Sequence, residues 1–333
     1  MTGRLVDEAR PSTPDPRRAM IPSMATVAEH YGRSGALAKV QAGLDRIAPD
    51  GGAVSLEQLA GFDHFHTGGQ LATERMAALL APTADDLVLD AGAGLGGPAR
   101  LLADRYGCRV IGIDLTEEFV EVGRLLNRRT GLEDLVDLRV GDITRIDLPD
   151  ASVDHVLTQH VAMNIADRAG LYREIRRVLK PGGRLALFDV VAGDGGSLLL
   201  PVPWATEPHQ SHLVTADELR TLLRGSGFTI DVDEDPTPVM LPMMRQMLAA
   251  PSPDTPLSTA MFIDGLETKG PRYLQNLAEG PDRARADGLH RHLSGARRYS
   301  TKRRAFTGLP RTEPLLRALM TSSTAPSGTP TTA

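Results

Sequence analysis

Three histidines are the first residues in this sequence whose type and spacing suggest chemistry. His64 and His66 stand two residues apart in "FDHFHTGGQLATERM", and His160 lies far downstream in an apolar run. Histidine can take up a proton, orient a substrate or bind a metal ion near neutral pH. A pair at this spacing, with His160 as the obvious third ligand, makes a weak metal site. We therefore predict no metal, and interpret the histidines as positioning groups, proton acceptors or caps on backbone groups.

A glycine cluster marks a second site. The segment "DAGAGLGG" (90–97) follows a short apolar run and precedes a helical pattern. Glycines let the backbone approach a ligand closely, and a helix N-terminus favours negative charge. Gly92, Gly94 and Gly97 also match the G-x-G-x-x-G dinucleotide fingerprint, so NAD is one interpretation. The match on its own is not specific.

Three aspartates favour S-adenosylmethionine over NAD. Asp90 lies two residues before the first glycine, where a carboxylate suits a cationic methionine group better than a pyrophosphate. Asp114 ends the next apolar run, where a carboxylate binds ribose hydroxyls in either cofactor. Asp142 ends the third run, in the dipeptide Gly-Asp, beside the expected adenine amino group. The ordered set predicts that S-adenosylmethionine is the cofactor.

Strand and helix patterns alternate around these residues and must position them. Helical patterns separate most of the apolar runs, and this alternation predicts a doubly wound α/β sheet from about residue 85 to 235. The predicted strands are 86–90, 108–114, 136–142, 153–161, 184–191 and 228–235. Because ligands bind outside the carboxyl ends of strands in such sheets, Gln159 and His160 are expected at the site.

The order of these parts resembles the class I S-adenosylmethionine-dependent methyltransferases. Finer strings resemble their sarcosine/dimethylglycine methyltransferase-like group over about residues 25–235. These strings are "GLGGPAR", "GIDLT", "TQHVAMNIADRAGLYREIRRVLKPGG", "PVPWATEP", "DHFHTGG" and "HYG". Members of this group methylate small amines, and related bacterial enzymes methylate nitrogen or carbon in natural products. A shared fold does not transfer the substrate.

This resemblance implies a Rossmann-like, seven-stranded sheet with an N-terminal helical cap and an inserted helical lid. The Met-rich segment "MMRQMLAA" belongs to the lid and either contacts an apolar substrate or packs in the core. The implied divisions are a flexible N-terminus (1–20), the cap (21–84), the core (85–235), the lid with a divergent strand region (236–310), and a short helix with a disordered tail (311–333).

The resemblance also assigns site residues. His160 is the leading general base or substrate orienter, and His66 is the second catalytic residue. The residues expected to contact the cofactor are Asp90, Gly92, Gly94, Gly96, Asp114, Leu115, Gly141, Asp142, Ile143, Gln159, Gly68 and Gly69. Those expected to contact the substrate are Tyr31, His64, Asn164 and Trp204.

The simplest predicted function is N-methylation of an amine or amino acid derivative by a S-adenosylmethionine-dependent methyltransferase. C-methylation of a natural-product scaffold, such as an indole or an enolisable carbon, is the alternative. An NAD-dependent oxidoreductase and a non-catalytic S-adenosylmethionine-binding protein are alternatives of other classes.

Bulk composition limits the partners. The 333 residues carry a net charge of −5, which argues against a general nucleic-acid binder. The basic segment 283–304 has no clear apolar strand, so the seventh strand is either divergent or missing. Such a run could attract nucleic acid or phosphate, and we interpret it instead as a solvated or disordered face. The single cysteine, Cys108, and the lack of a membrane-length apolar run predict a cytoplasmic protein without a membrane partner. A homodimer stays open.

Overall fold

The computed structural model describes residues 35–193, 198–249 and 255–279, together with the backbone of 289–294. Tyr31, the helix expected at 313–320 and both predicted tails lie outside these residues. The divisions at 1–20 and 311–333 are therefore not described.

One sheet organises the described chain. Its strands are β1 (Leu87–Ala91), β2 (Arg109–Asp114), β3 (Val136–Val140), β4 (Val153–Gln159), β5 (Leu179–Val191), β6 (Val232–Glu234) and β7 (Leu289–Ser294). Their spatial order is β3-β2-β1-β4-β5-β7-β6. The strands from β1 to β5 run parallel, and β7 pairs antiparallel with β5 and β6. The predicted α/β fold with a central parallel sheet is confirmed.

Helices cover both faces of this sheet. They are α1 (Ala36–Ile47), α2 (Leu56–Leu59), α3 (Gly69–Leu80), α4 (Gly97–Tyr106), α5 (Glu117–Thr130), α6 (Arg168–Val178), α7 (Ala216–Gly225), α8 (Thr237–Ala249) and α9 (Leu266–Ala278). Apolar residues of α6 and α7 pack with one set of strand residues, and those of α3 and α4 pack with another. This is the arrangement that parallel strands require, because both of their faces are apolar.

The sheet reverses its winding between β1 and β4. From β1 the chain crosses to β2 and then β3, whereas β4 and β5 lie on the other side of β1. Side chains that follow these strands therefore flank a crevice at the carboxyl edge, where open α/β sheets bind ligands.

Helices outside the sheet layers close this region from two sides. Buried residues of α1 and the chain around α2 pack against α5 in one apolar cluster. Tyr273 and Leu277 of α9 pack with Trp204 and Val190 in another cluster, beside the end of β5. The crevice is thus bordered by the chain preceding α3 and by α9.

β7 decides between the two alternatives for the seventh strand, which is divergent in sequence but present. Leu289–Ser294 lies within residues 283–304, where the sequence pattern shows no clear strand, yet its backbone pairs with β5 from Ala186 to Val191. The partner strand lies about a hundred residues upstream, so local hydrophobic pattern carries little of the information that specifies the pairing.

Candidate functional site

A cavity of about 940 Å³ lies at the carboxyl edge of the sheet. Its lining includes residues from the ends of β1, β2 and β4, from the chain before α3, and from α8 and α9. This volume is at the upper end of the range for small-molecule and cofactor pockets. The cavity has room for more than one bound group.

The glycine loop forms one wall because its glycines adopt left-handed backbone angles. Gly92, Gly94 and Gly96 have φ values of 86°, 53° and 79°. A Cβ on Gly92 would lie 2.3 Å from Val161 Cγ2, whereas one on Gly94 would meet nothing within 4 Å. The loop therefore needs glycine at position 92 for packing, and Gly94 borders open space in the cavity.

Asp90 and Asp114 lie at the ends of neighbouring strands and line the cavity, where Asp90 is buried and Asp114 is half-buried. Burial, and after it the Asp114 carboxylate, raise the pKa of Asp90 to about 7. Burial also raises the pKa of Asp114, although its oxygens accept hydrogen bonds from the N–H groups of Gly94 (2.8 Å) and Thr116 (2.9 Å). Two desolvated carboxylates at one site favour a cationic ligand.

S-adenosylmethionine fits this wall. Asp90 Oδ2 is buried and has no hydrogen-bond partner among the described residues, so a cationic group could supply the missing interaction. Asp114 would reach ribose hydroxyls, and Leu115, Gly141 and Ile143 also line the cavity. These residues would hold the methionine, ribose and adenine portions of the cofactor.

Two predicted cofactor residues are not among those that line the cavity. Asp142 Oδ1 accepts hydrogen bonds from the N–H (2.8 Å) and the hydroxyl (2.7 Å) of Thr144. Gly96 is the N-cap of α4 and is likewise absent from the lining. The contact of Asp142 with adenine stays a prediction, and its neighbours Gly141 and Ile143 line the cavity.

The opening histidines belong to a polar cluster around Thr73 of α3. The Thr73 hydroxyl lies 3.0 Å from His64 Nδ1 and 3.0 Å from His66 Nε2, and it donates to Gln159 Oε1 at 3.2 Å. His66 Nδ1 lies 3.2 Å from the carbonyl oxygen of Thr67. Burial, and after it the Arg100 guanidinium, lower the pKa of His64 to about 3, so this ring is neutral.

His160 directly follows β4 and lines the cavity. Its φ of 54° lies in the left-handed region that non-glycine residues rarely adopt, and its N–H donates to the Phe188 carbonyl oxygen at 2.7 Å. The ring centroids of His66 and His160 are 6.0 Å apart. The structure thus brings the two predicted catalytic histidines to one wall, and a strained backbone at such a position is typical of functional sites.

Another part of the cavity lining is largely apolar. Trp204 and Asn164 line it as predicted, and Trp204 donates from Nε1 to Ser211 Oγ at 3.0 Å. The methionines of α8 that line the cavity are Met240, Met243, Met244 and Met247. The Met-rich segment therefore contacts the cavity rather than only filling a core. Gly68 and Gly69, at the start of α3, line the same space.

Sequence reasoning missed the residues that fix this geometry. Arg100 is fully buried and donates from Nη2 to Asp63 Oδ2 at 2.8 Å and from Nη1 to Asn127 Oδ1 at 2.8 Å. A Cβ on Gly97, the third fingerprint glycine, would lie 2.4 Å from the Asp63 carbonyl oxygen. That glycine therefore permits close packing of α4 on the chain before α3. No local pattern marks Asp63, Thr73 or Arg100.

Neither a metal cluster nor a membrane helix is found in the described part of the chain. Its His, Cys, Asp and Glu side chains form no group of three or more arranged to hold a metal ion. Within the same residues, no helix combines the length and apolar character needed to span a membrane.

Comparisons with known proteins agree with this geometry. The chain is 34% identical over 193 residues to a sterol 24-C-methyltransferase of Eremothecium gossypii, which covers 52% of this chain and 50% of the relative. It is 34% identical over 167 residues to a sarcosine/dimethylglycine N-methyltransferase of Halorhodospira halochloris, covering 49% and 59%. This chain spans about half the length of the curated relatives it matches.

Solved structures share the fold. A geranyl diphosphate C-methyltransferase from Streptomyces coelicolor A3(2), solved with Mg²⁺, geranyl diphosphate and S-adenosyl-L-homocysteine, has a TM-score of 0.59 at 18% identity. The match covers 83% of this chain and 98% of that chain.

A family model described as a methyltransferase domain matches residues 89–187. These residues include the glycine loop, Asp90 and Asp114, and the strand that carries Gln159. The match confirms the class I resemblance and with it S-adenosylmethionine as the cofactor. Residues 89–187 are a class I S-adenosylmethionine-dependent methyltransferase domain.

Proposed function

We propose that this chain transfers a methyl group to an uncharged, largely apolar small molecule, with C-methylation of a natural-product scaffold as the reaction that fits best. The carrying observation is the composition of the cavity wall. Among the described residues that line it there is no Arg or Lys, and α8 contributes four methionines to the lining.

The lack of a lining cation bears on the charge of the acceptor. The carboxylates of the lining are Asp63, Asp90, Asp114 and Glu267, and Asp63 already pairs with Arg100. A sarcosine-like carboxylate or a phosphorylated acceptor would lose its hydration there without gaining a cationic partner among the described residues, which is costly. A neutral acceptor has no such cost.

Contact with the apolar side chains of the lining favours binding of an apolar acceptor. Met243 and Met244 of α8 are half-buried, and Ile263 and Trp204 are buried in the same lining. Methionine side chains adapt their shape to an apolar ligand. We assign α8 and α9 as the lid over this acceptor, and the chain from α1 to α3 as the N-terminal cap.

Bound S-adenosylmethionine supplies an electrophilic methyl group on sulfur. The protein then has to align the acceptor atom with that methyl and exclude water, an orientation effect worth several kcal/mol. Asp90 and Asp114 hold the cofactor at one wall, and α8 and α9 hold the acceptor at the other. His160 accepts the proton released from an indole-like or enolisable carbon.

N-methylation of a neutral amine is the second candidate. It uses the same alignment, and the similarity to the sarcosine/dimethylglycine N-methyltransferase favours it. The cavity lining argues against amino acid acceptors in particular, because their carboxylate has no described Arg or Lys to meet.

An acceptor panel tests the proposal. The full chain is incubated with S-adenosylmethionine carrying a radiolabelled methyl group and, separately, with indole, 1-naphthol, 1-tetralone, sarcosine, dimethylglycine or phosphoethanolamine. Mass spectrometry then identifies the methylated atom. We expect label in the neutral aromatic compounds, with carbon as the methylated atom.

Preferential turnover of sarcosine or phosphoethanolamine would overturn the neutral-acceptor proposal. Binding of S-adenosylmethionine in calorimetry, with no label in any compound, would favour the non-catalytic alternative. Binding of NAD together with a failure to bind S-adenosylmethionine would favour the NAD-dependent oxidoreductase alternative.

A further inference from the structure

The Thr73 hydroxyl joins three polar side chains at the edge of the cavity. Thr73 is fully buried, so its contacts are made without competition from bulk water. Its oxygen has His64 Nδ1 and His66 Nε2 at 3.0 Å each, and it donates to Gln159 Oε1 at 3.2 Å.

Counting hydrogens constrains this cluster. A hydroxyl donates one hydrogen and accepts two hydrogen bonds. The Thr73 hydrogen goes to Gln159, so the ring nitrogens of His64 and His66 that face Thr73 must both be N–H donors. The neutral ring of His64 then carries its hydrogen on Nδ1, and His66 carries a hydrogen on Nε2.

The hydrogen bond from the Thr73 hydroxyl to Gln159 Oε1 also sets the orientation of the Gln159 side-chain amide. Its oxygen is engaged by Thr73, which leaves Nε2 as the other end of the group. Gln159 lines the cavity, is only 7% exposed, and its Nε2 is buried without a hydrogen-bond partner among the described residues. Leaving a buried donor unsatisfied costs about 1–3 kcal/mol, which a ligand oxygen would recover.

We propose that Gln159 Nε2 donates a hydrogen bond to a carbonyl oxygen of the acceptor, and that Thr73 is the positioning residue that holds the amide in this orientation. The inference rests on the proposed function, because it needs an uncharged acceptor in the cavity. It narrows the substrate class to apolar ketones with an enolisable carbon beside the carbonyl.

The chemistry of such a ketone uses this donor. His160 takes a proton from the carbon next to the carbonyl, and the electron pair moves to give an enolate, whose negative charge lies largely on the oxygen that faces Gln159. A positioned donor at this oxygen stabilises the developing charge. The enolate carbon then forms its bond to the methyl carbon as the bond from methyl to sulfur breaks, and S-adenosylhomocysteine leaves with the sulfur electron pair.

A matched pair of neutral probes tests the donor. Binding of 1-tetralone and of tetralin, which lacks the carbonyl, is measured on the full chain saturated with S-adenosylhomocysteine. We expect 1-tetralone to bind about fivefold more tightly in the wild type, the effect of one neutral hydrogen bond. Gln159→Met should remove this preference, and saturating S-adenosylhomocysteine keeps the cofactor site filled in both proteins.

Thr73 variants test the positioning role. Thr73→Ser keeps the hydroxyl and should keep the preference, whereas Thr73→Val should reduce it. Nitrogen-15 NMR of the histidine rings should show the Nδ1–H form of His64 and the Nε2–H form of His66 in the wild type and in Thr73→Ser, and a change in Thr73→Val. A residue with only a packing role would leave the ring tautomers unaltered.

Three results would overturn the inference: equal binding of the two probes to the wild type, a preference that survives Gln159→Met, or methyl transfer to neutral acceptors that does not depend on Gln159. The third result would contradict this inference alone. A carbonyl preference without any methyl transfer would contradict only the proposed function.

Discussion

Asp90 shows how burial prepares a single residue for a cationic ligand. Its carboxyl lies at the end of β1, close to Asp114 and out of contact with solvent. Both effects disfavour the negative charge in the ligand-free protein. A cation at the site reverses this preference, so ligand binding and deprotonation of Asp90 are coupled.

This coupling predicts a pH-dependent affinity for S-adenosylmethionine. The pKa of Asp90 is about 7 in the free protein, so below that pH a proton must leave when the cation binds. The affinity should rise with pH up to about 7, by at most about tenfold per pH unit. Calorimetry between pH 5 and pH 8 measures the slope. Asp90→Asn should flatten it, and Asp137→Asn, an exposed change on β3, should not; an unchanged slope in Asp90→Asn would contradict the assignment.

His64 makes the folding stability, rather than the ligand affinity, depend on pH. Its pKa falls from 6.5 to about 3 on burial, so between these values the unfolded chain binds a proton that the folded chain does not. Stability from this residue is therefore complete above pH 6.5 and is lost as the pH falls. At pH 5 the loss is about 2 kcal/mol. Urea unfolding at pH 7.5 and pH 5 should show a smaller drop for His64→Gln; equal drops in the two proteins would refute this explanation.

At the scale of elements, α8 contributes apolar side chains to the cavity lining. Four of its methionines line the cavity, whereas Val239 on the same helix is 50% exposed and does not. The helix also carries Pro242 in its interior, which removes a backbone donor there. The sequence pattern alone left open whether these methionines met a substrate or a core.

Shortening one of these methionines should weaken acceptor binding specifically. Met243→Ala removes apolar surface from the wall, and we expect the KM for 1-tetralone to rise about fivefold, the effect of about 1 kcal/mol. The KM for S-adenosylmethionine should not change. Val239→Ala is the matched control on the same helix. Steady-state kinetics measures both KM values in each variant. A rise in both values for Met243→Ala would mean that α8 maintains the whole site and not only the part that binds the acceptor.

Across the whole molecule, one buried ion pair ties the chain before α3 to the methyltransferase domain. Asp63 and Arg100 have side chains that are 3% and 0% exposed, and their closest N–O distance is 2.8 Å. Arg100 also reaches α5 through Asn127. Burial raises the pKa of Asp63, so the carboxylate depends on Arg100 for its charge.

Removing either partner should destabilise the fold strongly. Arg100→Met or Asp63→Asn leaves a buried group without its partner, and we expect a loss of about 3–5 kcal/mol in the free energy of unfolding. The double variant should recover part of that loss, because no unpaired charge remains. Chemical denaturation of the four proteins gives the coupling energy, and purely additive losses would show that the pair acts as two independent contacts.

The sequence alone determined the parts of this protein that rest on short-range patterns. Alternating apolar runs and capped helical segments specify the α/β order, because each element must match its own periodicity and end signals. The glycine loop and the acids at positions 90 and 114 were predictable for a related reason. Their geometry follows from the strand that each residue ends, since parallel strands place their carboxyl ends at one edge.

Only the tertiary structure decided which side chains meet. Thr73 looks like an ordinary helix residue until folding brings Gln159, 86 positions away, to its hydroxyl. β7 lies in a basic segment and pairs with a distant strand. These outcomes depend on contacts between residues far apart in the chain, which local composition and periodicity do not encode.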